Sequence, residues 1–231
     1  MGKPVKFSDR KTPWYQRDSK SQARRTAVMP ERERILIVCE GEKTEPSYFK
    51  AIKAELPPHV VEVEISGEGD NTLRLVEKAQ EMRDERASGS YPFDQVWVVF
   101  DRDSFPPSDF DNAITKAEAD GIKCAWSNEA FELWYVLHFE YRNTAMPRTE
   151  YQDKLSDLIG RKYLKNALDM YQMLAEKGNQ DQAIKWAKQL HREATASQTP
   201  PSRSNPCTTV YALVEILNCF KPQPEPAAPE P

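Results

Sequence analysis

Two uninterrupted apolar runs, each ending in acid, constrain this chain more than any other feature. Residues 35–38 (ILIV) lead through Cys39 into Glu40-Gly41, and residues 96–100 (VWVVF) lead into Asp101-Arg102-Asp103. Apolar runs of this length without alternation suit strands buried on both faces, as in a parallel sheet covered by helices. A carboxylate at the end of such a strand is expensive to bury unless its charge is used there.

Helical and strand patterns alternate around these runs. Thr44 begins a helix with Pro46 in its first turn and Tyr48, Phe49 and Ile52 on one face, and Pro57-Pro58 stops it. Residues 60–66 (VVEVEIS) alternate apolar and acidic, the period of a strand with one wet face. Asn71 caps a helix over 72–87, a further helix over 108–119 closes at Gly121, and residues 122–126 form a short strand. Ser127 or Asn128 caps a helix over 128–140, where Phe131, Leu133, Trp134, Val136, Leu137 and Phe139 wrap the circumference and imply burial nearly all round. Beyond Arg142 the pattern changes to helices near 150–159, 161–176, 179–195 and 206–220, with no strand.

Strand–helix alternation of this kind predicts an α/β fold, a mostly parallel sheet with helices on both faces, followed by a C-terminal helical extension. The expected division is a basic arm over 1–30, the α/β domain over 31–142, the extension over 143–220 and a disordered proline-rich tail over 221–231. In such a sheet the C-terminal ends of the strands share one edge. That edge should gather Glu40, Asp101, Asp103 and the turn Ser127-Asn128-Glu129.

Charge and cysteine usage narrow the class. The net charge of −4 divides into +6 over residues 1–30 and −10 over the rest. A basic arm on an acidic body suits either nucleic-acid contact or a solubilising tail. Cys39, Cys124, Cys207 and Cys219 lack paired ligand spacing, which argues against a zinc site and a secreted disulfide scaffold. No apolar leader and no run long enough to span a bilayer is present, so the chain reads as cytoplasmic.

In extended chain Asp101 and Asp103 point the same way, and two such carboxylates repel unless protonated or bridged by a cation. Oxygen ligands suit Mg²⁺ or Mn²⁺. Glu40 could then take a proton from an attacking water or share a second ion. The plainer reading makes the aspartates turn residues and Glu40 a partner of the helix dipole. Glu132, one turn from Glu129, is either another site carboxylate or a satisfied buried acid. Lys43, Arg102 and Arg142 could steer a phosphate, with a solvated surface charge as the alternative for Lys43 and Arg102. Asn128 reads as a cap and His138 as a core histidine, with substrate contact as the alternative for each.

The blocks ILIVCEGEKTEPSYF, VWVVFDRD, SNEAFELWYVLHF and SNPCTTVYALVEIL resemble the RloB family, TOPRIM-like proteins found with bacterial restriction and phage-defence loci. The resemblance runs over residues 34–220 and is faint between 145 and 200. It implies a TOPRIM-like sheet in which Glu40 is the acid/base or metal-ordering glutamate and Asp101 and Asp103 are the metal pair. With Glu132 these make the expected catalytic set, and Lys43, Arg102, Asn128 and His138 the expected substrate contacts. The implied activity is Mg²⁺- or Mn²⁺-dependent phosphodiester hydrolysis, of RNA in preference to DNA, by an effector of antiphage defence. The alternative is a partner-gated or non-catalytic nucleic-acid-binding subunit, with an ATPase or another sensor of a defence system as its partner. No P-loop occurs in the chain itself. A third possibility is a binding module that uses only the basic arm, and the oligomeric state stays open.

Overall fold

The two apolar runs lie side by side at the centre of a five-stranded sheet. β1 (Ile35–Cys39) pairs in parallel with β2 (Val61–Ile65) on one side and β3 (Gln95–Asp101) on the other. β4 (Lys123–Asn128) continues the parallel set beyond β3. A two-residue strand, β5 (Cys207–Thr208), closes that edge antiparallel to β4, giving the order β2-β1-β3-β4-β5. The structure, a computed structural model, describes residues 33–58, 60–65, 72–89, 91–102, 106–165 and 167–222. These fall in the unit Arg32–Pro231, while the basic arm, most of the proline-rich tail and Asp103 lie outside the described residues.

Alternate residues of the central strands serve two cores, as the two-residue period of a strand dictates. Ile35, Ile37, Cys39, Trp97 and Val99 pack with Tyr48, Phe49 and Ile52 of α1 (Thr44–Glu55). Leu36, Val38, Val96, Val98 and Phe100 pack with α2 (Thr72–Ala87) and α3 (Pro107–Ala119) on the other face. The chain steps outward from β1 to β2 in one direction and from β3 to β4 in the other. The order therefore reverses between β1 and β3, and in open α/β sheets ligands bind in the crevice outside the strand ends at such a reversal.

The α1 face also takes the C-terminal helices: α4 (Glu132–Val136), α5 (Arg148–Ile159), α6 (Met170–Lys177), α7 (Gln180–Ala196) and α8 (Val210–Asn218). Three expectations change here. The helix expected over 128–140 is regular only over Glu132–Val136, because β4 runs on to Asn128 before the chain turns; its near-complete burial holds. The segment after Arg142 does contain a strand, β5, too short to show a period. The helix expected from residue 161 begins at Met170. Gly160, at φ 73°, ends α5 in the left-handed conformation that favours glycine. The next residues leave the helical path to make specific contacts: the Tyr163 N–H donates to Ser156 Oγ (2.9 Å), and the Lys165 carbonyl accepts from Thr44 Oγ1 (3.1 Å). Among the described residues all four cysteines are free thiols. No helix among them is long and apolar enough to cross a membrane.

Candidate active site

The turn after β1 is shaped around an acid. The buried face of α1 carries Glu45, Tyr48, Phe49 and Ile52, at the spacing of one helix stripe. The Glu45 carboxylate folds back against Gly41, and a Cβ at residue 41 would overlap it. Glycine at 41 is thus explained by close approach rather than by an unusual backbone angle. Glu45 is only 6% exposed, an acid where the helix pattern calls for an apolar residue.

Two more acids come to the same place. Asp101, the last residue of β3, is on the Trp97 and Val99 side of the sheet and is buried, as is Glu132 at the start of α4. Arg148, the first residue of α5, reaches Asp101 Oδ2 at 3.2 Å, while Asp101 Oδ1 is buried and makes no hydrogen bond. Glu132 Oε1 accepts from the Tyr163 hydroxyl at 3.2 Å. A cleft of about 270 Å³ joins these groups, with the carboxylates of Glu45, Asp101 and Glu132 and the cations Lys43, Arg148 and Lys165 in its lining.

Burial pushes the Asp101 carboxyl well above the ordinary carboxylate range. The charges of Glu45 and Glu132 push it further, and Arg148 and the Phe131 backbone amide act against them. Burial likewise raises Glu45 from 4.5 to about 6, with Glu132 adding to the rise and its own backbone amide, Arg148 and Lys165 opposing it. Asp101 is thus raised by the charges of Glu45 and Glu132, and Glu45 by that of Glu132, the sign of negative charge crowded where water cannot screen it.

The expected site residues separate into three groups. Asp101, Glu132 and Lys43 line the cleft. Glu40, Arg102, Asn128 and His138 do not. The Glu40 N–H donates to Val99 O (2.9 Å), extending the ladder, and strand alternation then puts its side chain on the Leu36 and Val38 side, opposite Asp101. Arg102 continues the next ladder, its N–H bonded to Ser127 O (2.9 Å). The buried Asn128 side chain donates to Pro201 O (2.9 Å). His138 is a core histidine: its Nδ1 lies 2.9 Å from Trp134 O, and burial lowers its pKa to about 4, so it is neutral at pH 7. Asp103, the third expected metal ligand, lies outside the described residues.

Glu45, Arg148, Tyr163 and Lys165 were not expected. Glu45 carried a signal, since it stands three, four and seven residues before Tyr48, Phe49 and Ile52. The other three come from the stretch where the family blocks are faint, and nothing in its pattern points to the cleft.

Among the described residues no three His, Cys, Asp or Glu side chains are grouped closely enough to hold a metal ion as they stand. The chemistry at Asp101 nevertheless fits a hard cation: a buried carboxylate with one oxygen unbonded, the other held by a mobile type of side chain, and further acids beside it.

A mostly parallel α/β sheet with an acidic cleft at its order reversal defines a class of proteins that bind or transform ligands at that edge. Within that class, the family model described as RloB-like protein matches residues 35–217, and the chain belongs to that family. No curated protein and no solved structure matches the chain.

Proposed function

We propose that this protein is a divalent-metal-dependent nuclease that hydrolyses phosphodiester bonds, of RNA in preference to DNA, as an effector of antiphage defence. The observation carrying the proposal is Asp101, buried beside Glu45 and Glu132 with one oxygen unbonded at the crevice where such sheets bind ligands. Cations in the same lining supply what an anionic substrate needs.

In this reading Asp101 would hold the ion, with Glu132 completing or orienting its shell. A bound Mg²⁺ or Mn²⁺ supplies charge neutralisation at the phosphate and at the leaving oxygen. Glu45, raised by burial to about 6 in the metal-free protein, is ionised at neutral pH and lines the cleft, so in this reading it takes the general-base role expected of Glu40. Water attacks phosphorus, Glu45 takes its proton, the P–O ester bond breaks, and the leaving oxygen departs as an alcohol after protonation from solvent. Tyr163 holds Glu132 in place through its hydroxyl. Lys43 and Lys165, both exposed, attract the backbone phosphates.

A second reading is a subunit silent until a partner, such as an ATPase or a nucleic-acid sensor, rearranges the cleft. It is favoured by the Arg148–Asp101 pair and by the absence of a ready-grouped metal shell among the described residues. Purified protein with Mn²⁺ or Mg²⁺, offered labelled RNA and DNA beside Asp101→Asn and Glu45→Gln, separates the two. Metal-dependent cleavage lost in both variants supports the nuclease. Binding without cleavage under either metal supports the gated subunit.

A further inference from the structure

Lys43 and Lys165 are exposed at the cleft, whereas Arg148 is committed inward. Its guanidinium sits 3.2 Å from the Asp101 carboxylate, with the Arg148 side chain 27% exposed and the Asp101 side chain 6%. The arginine therefore stands at the opening and the aspartate at the floor. Its Cα is fixed at the first turn of α5, and four side-chain torsions lie between that point and the guanidinium.

Building on the metal-nuclease reading above, we infer that Arg148 is the cation that grips a substrate phosphate, and that a metal ion releases it to do so. In the metal-free protein Arg148 is the counter-ion of Asp101 and offsets part of the crowding by Glu45 and Glu132. A divalent ion needs the same carboxylate. An ion on the unbonded Oδ1 would stand within a few ångströms of the guanidinium on Oδ2, and the two cations repel strongly across poorly screened space. The ion displaces Arg148, and the displaced guanidinium, still in the cleft lining, meets the phosphate with its paired N–H donors. Binding thus becomes ordered: metal first, nucleic acid second. The device also keeps the empty site from gripping nucleic acid through this arginine.

The test compares wild type, Arg148→Gln and Arg148→Lys in two binding measurements that involve no turnover. Mn²⁺ affinity is read by calorimetry without nucleic acid, and affinity for a phosphorothioate RNA, slow to hydrolyse, by fluorescence anisotropy with and without Mn²⁺. Arg148→Gln should bind Mn²⁺ several-fold more tightly, since the ion no longer displaces a charge. It should bind RNA about tenfold more weakly than wild type in Mn²⁺ and equally without it, the scale of one lost charge-assisted contact. Arg148→Lys, which keeps the charge without the fork, should restore the competition with Mn²⁺ and fall between the two for RNA. If Arg148→Gln does not fold, the lysine variant alone decides: RNA affinity in Mn²⁺ equal to wild type overturns the inference. Unchanged or weaker Mn²⁺ affinity in Arg148→Gln also overturns it. Wild type that binds and uses Mn²⁺ beside an indifferent Arg148→Gln sinks this inference alone. Wild type that binds no Mn²⁺ sinks the metal-nuclease reading with it.

Discussion

Replacing Glu45 by glutamine should stabilise the metal-free protein at neutral pH while removing the proposed nuclease activity. The side chain keeps its size, so its fit against Gly41 is preserved and only the charge is lost. The carboxyl rises from 4.5 to about 6 on folding, chiefly through burial. Between those values the folded state binds more protons than the unfolded one, so stability falls as pH climbs through the window. The cost is fully present above pH 6 and absent below pH 4.5. At 1.36 kcal/mol per pH unit it amounts to about 2 kcal/mol. Urea unfolding with a chelator present, at pH 7.5 and at pH 4, reads this directly. Glu45→Gln should exceed wild type by up to about 2 kcal/mol at the higher pH, and the gap should close at the lower. A variant less stable than wild type at pH 7.5 would refute the reasoning, because it would mean that Arg148 and Lys165 more than offset the burial of this charge.

Three further outcomes follow from the same geometry. Gly41→Ala puts a methyl into the Glu45 carboxylate, the movable end of a side chain, so urea unfolding should show a loss below about 1 kcal/mol while metal-dependent cleavage drops at least tenfold as the base is pushed aside. The cleavage rate should climb with pH as Glu45 loses its proton, at or below its metal-free value of about 6 because a bound cation favours the carboxylate, and Glu45→Gln should flatten whatever activity remains; wild-type and Glu45→Gln profiles of the same shape would remove Glu45 as base. Tyr163→Phe removes one hydrogen bond from the buried Glu132 and should cost about 1–3 kcal/mol in unfolding experiments, with a fall in Mn²⁺ affinity that a purely structural tyrosine would not produce.

The order of elements was legible because the central strands are apolar without interruption and the helices between them carry clear stripes and stops. What could not be read is register. Glu40 and Asp101 both end apolar runs, and nothing in their neighbours distinguishes them. The pairing of Cys39 with Val99 sets Glu40 beside Phe100 and Asp101 one step further on, so the two acids face opposite sides of the sheet. That offset of one residue keeps Glu40 away from the cleft that Glu45 and Asp101 line. Glu45 itself was readable, as a charge within the stripe that Tyr48, Phe49 and Ile52 define. Arg148 and Tyr163 were not, because they reach Asp101 and Glu132 across 47 and 31 residues of chain, and local patterns do not encode such contacts. The short β5 escaped for a simpler reason: two residues have no period.

The most direct test of the acidic cleft as a cation site is Mn²⁺ binding to wild type and Asp101→Asn, measured calorimetrically with no nucleic acid present. A saturable site in wild type that weakens at least tenfold in the variant is the predicted result. Equal binding by both proteins, or none by wild type, would contradict it.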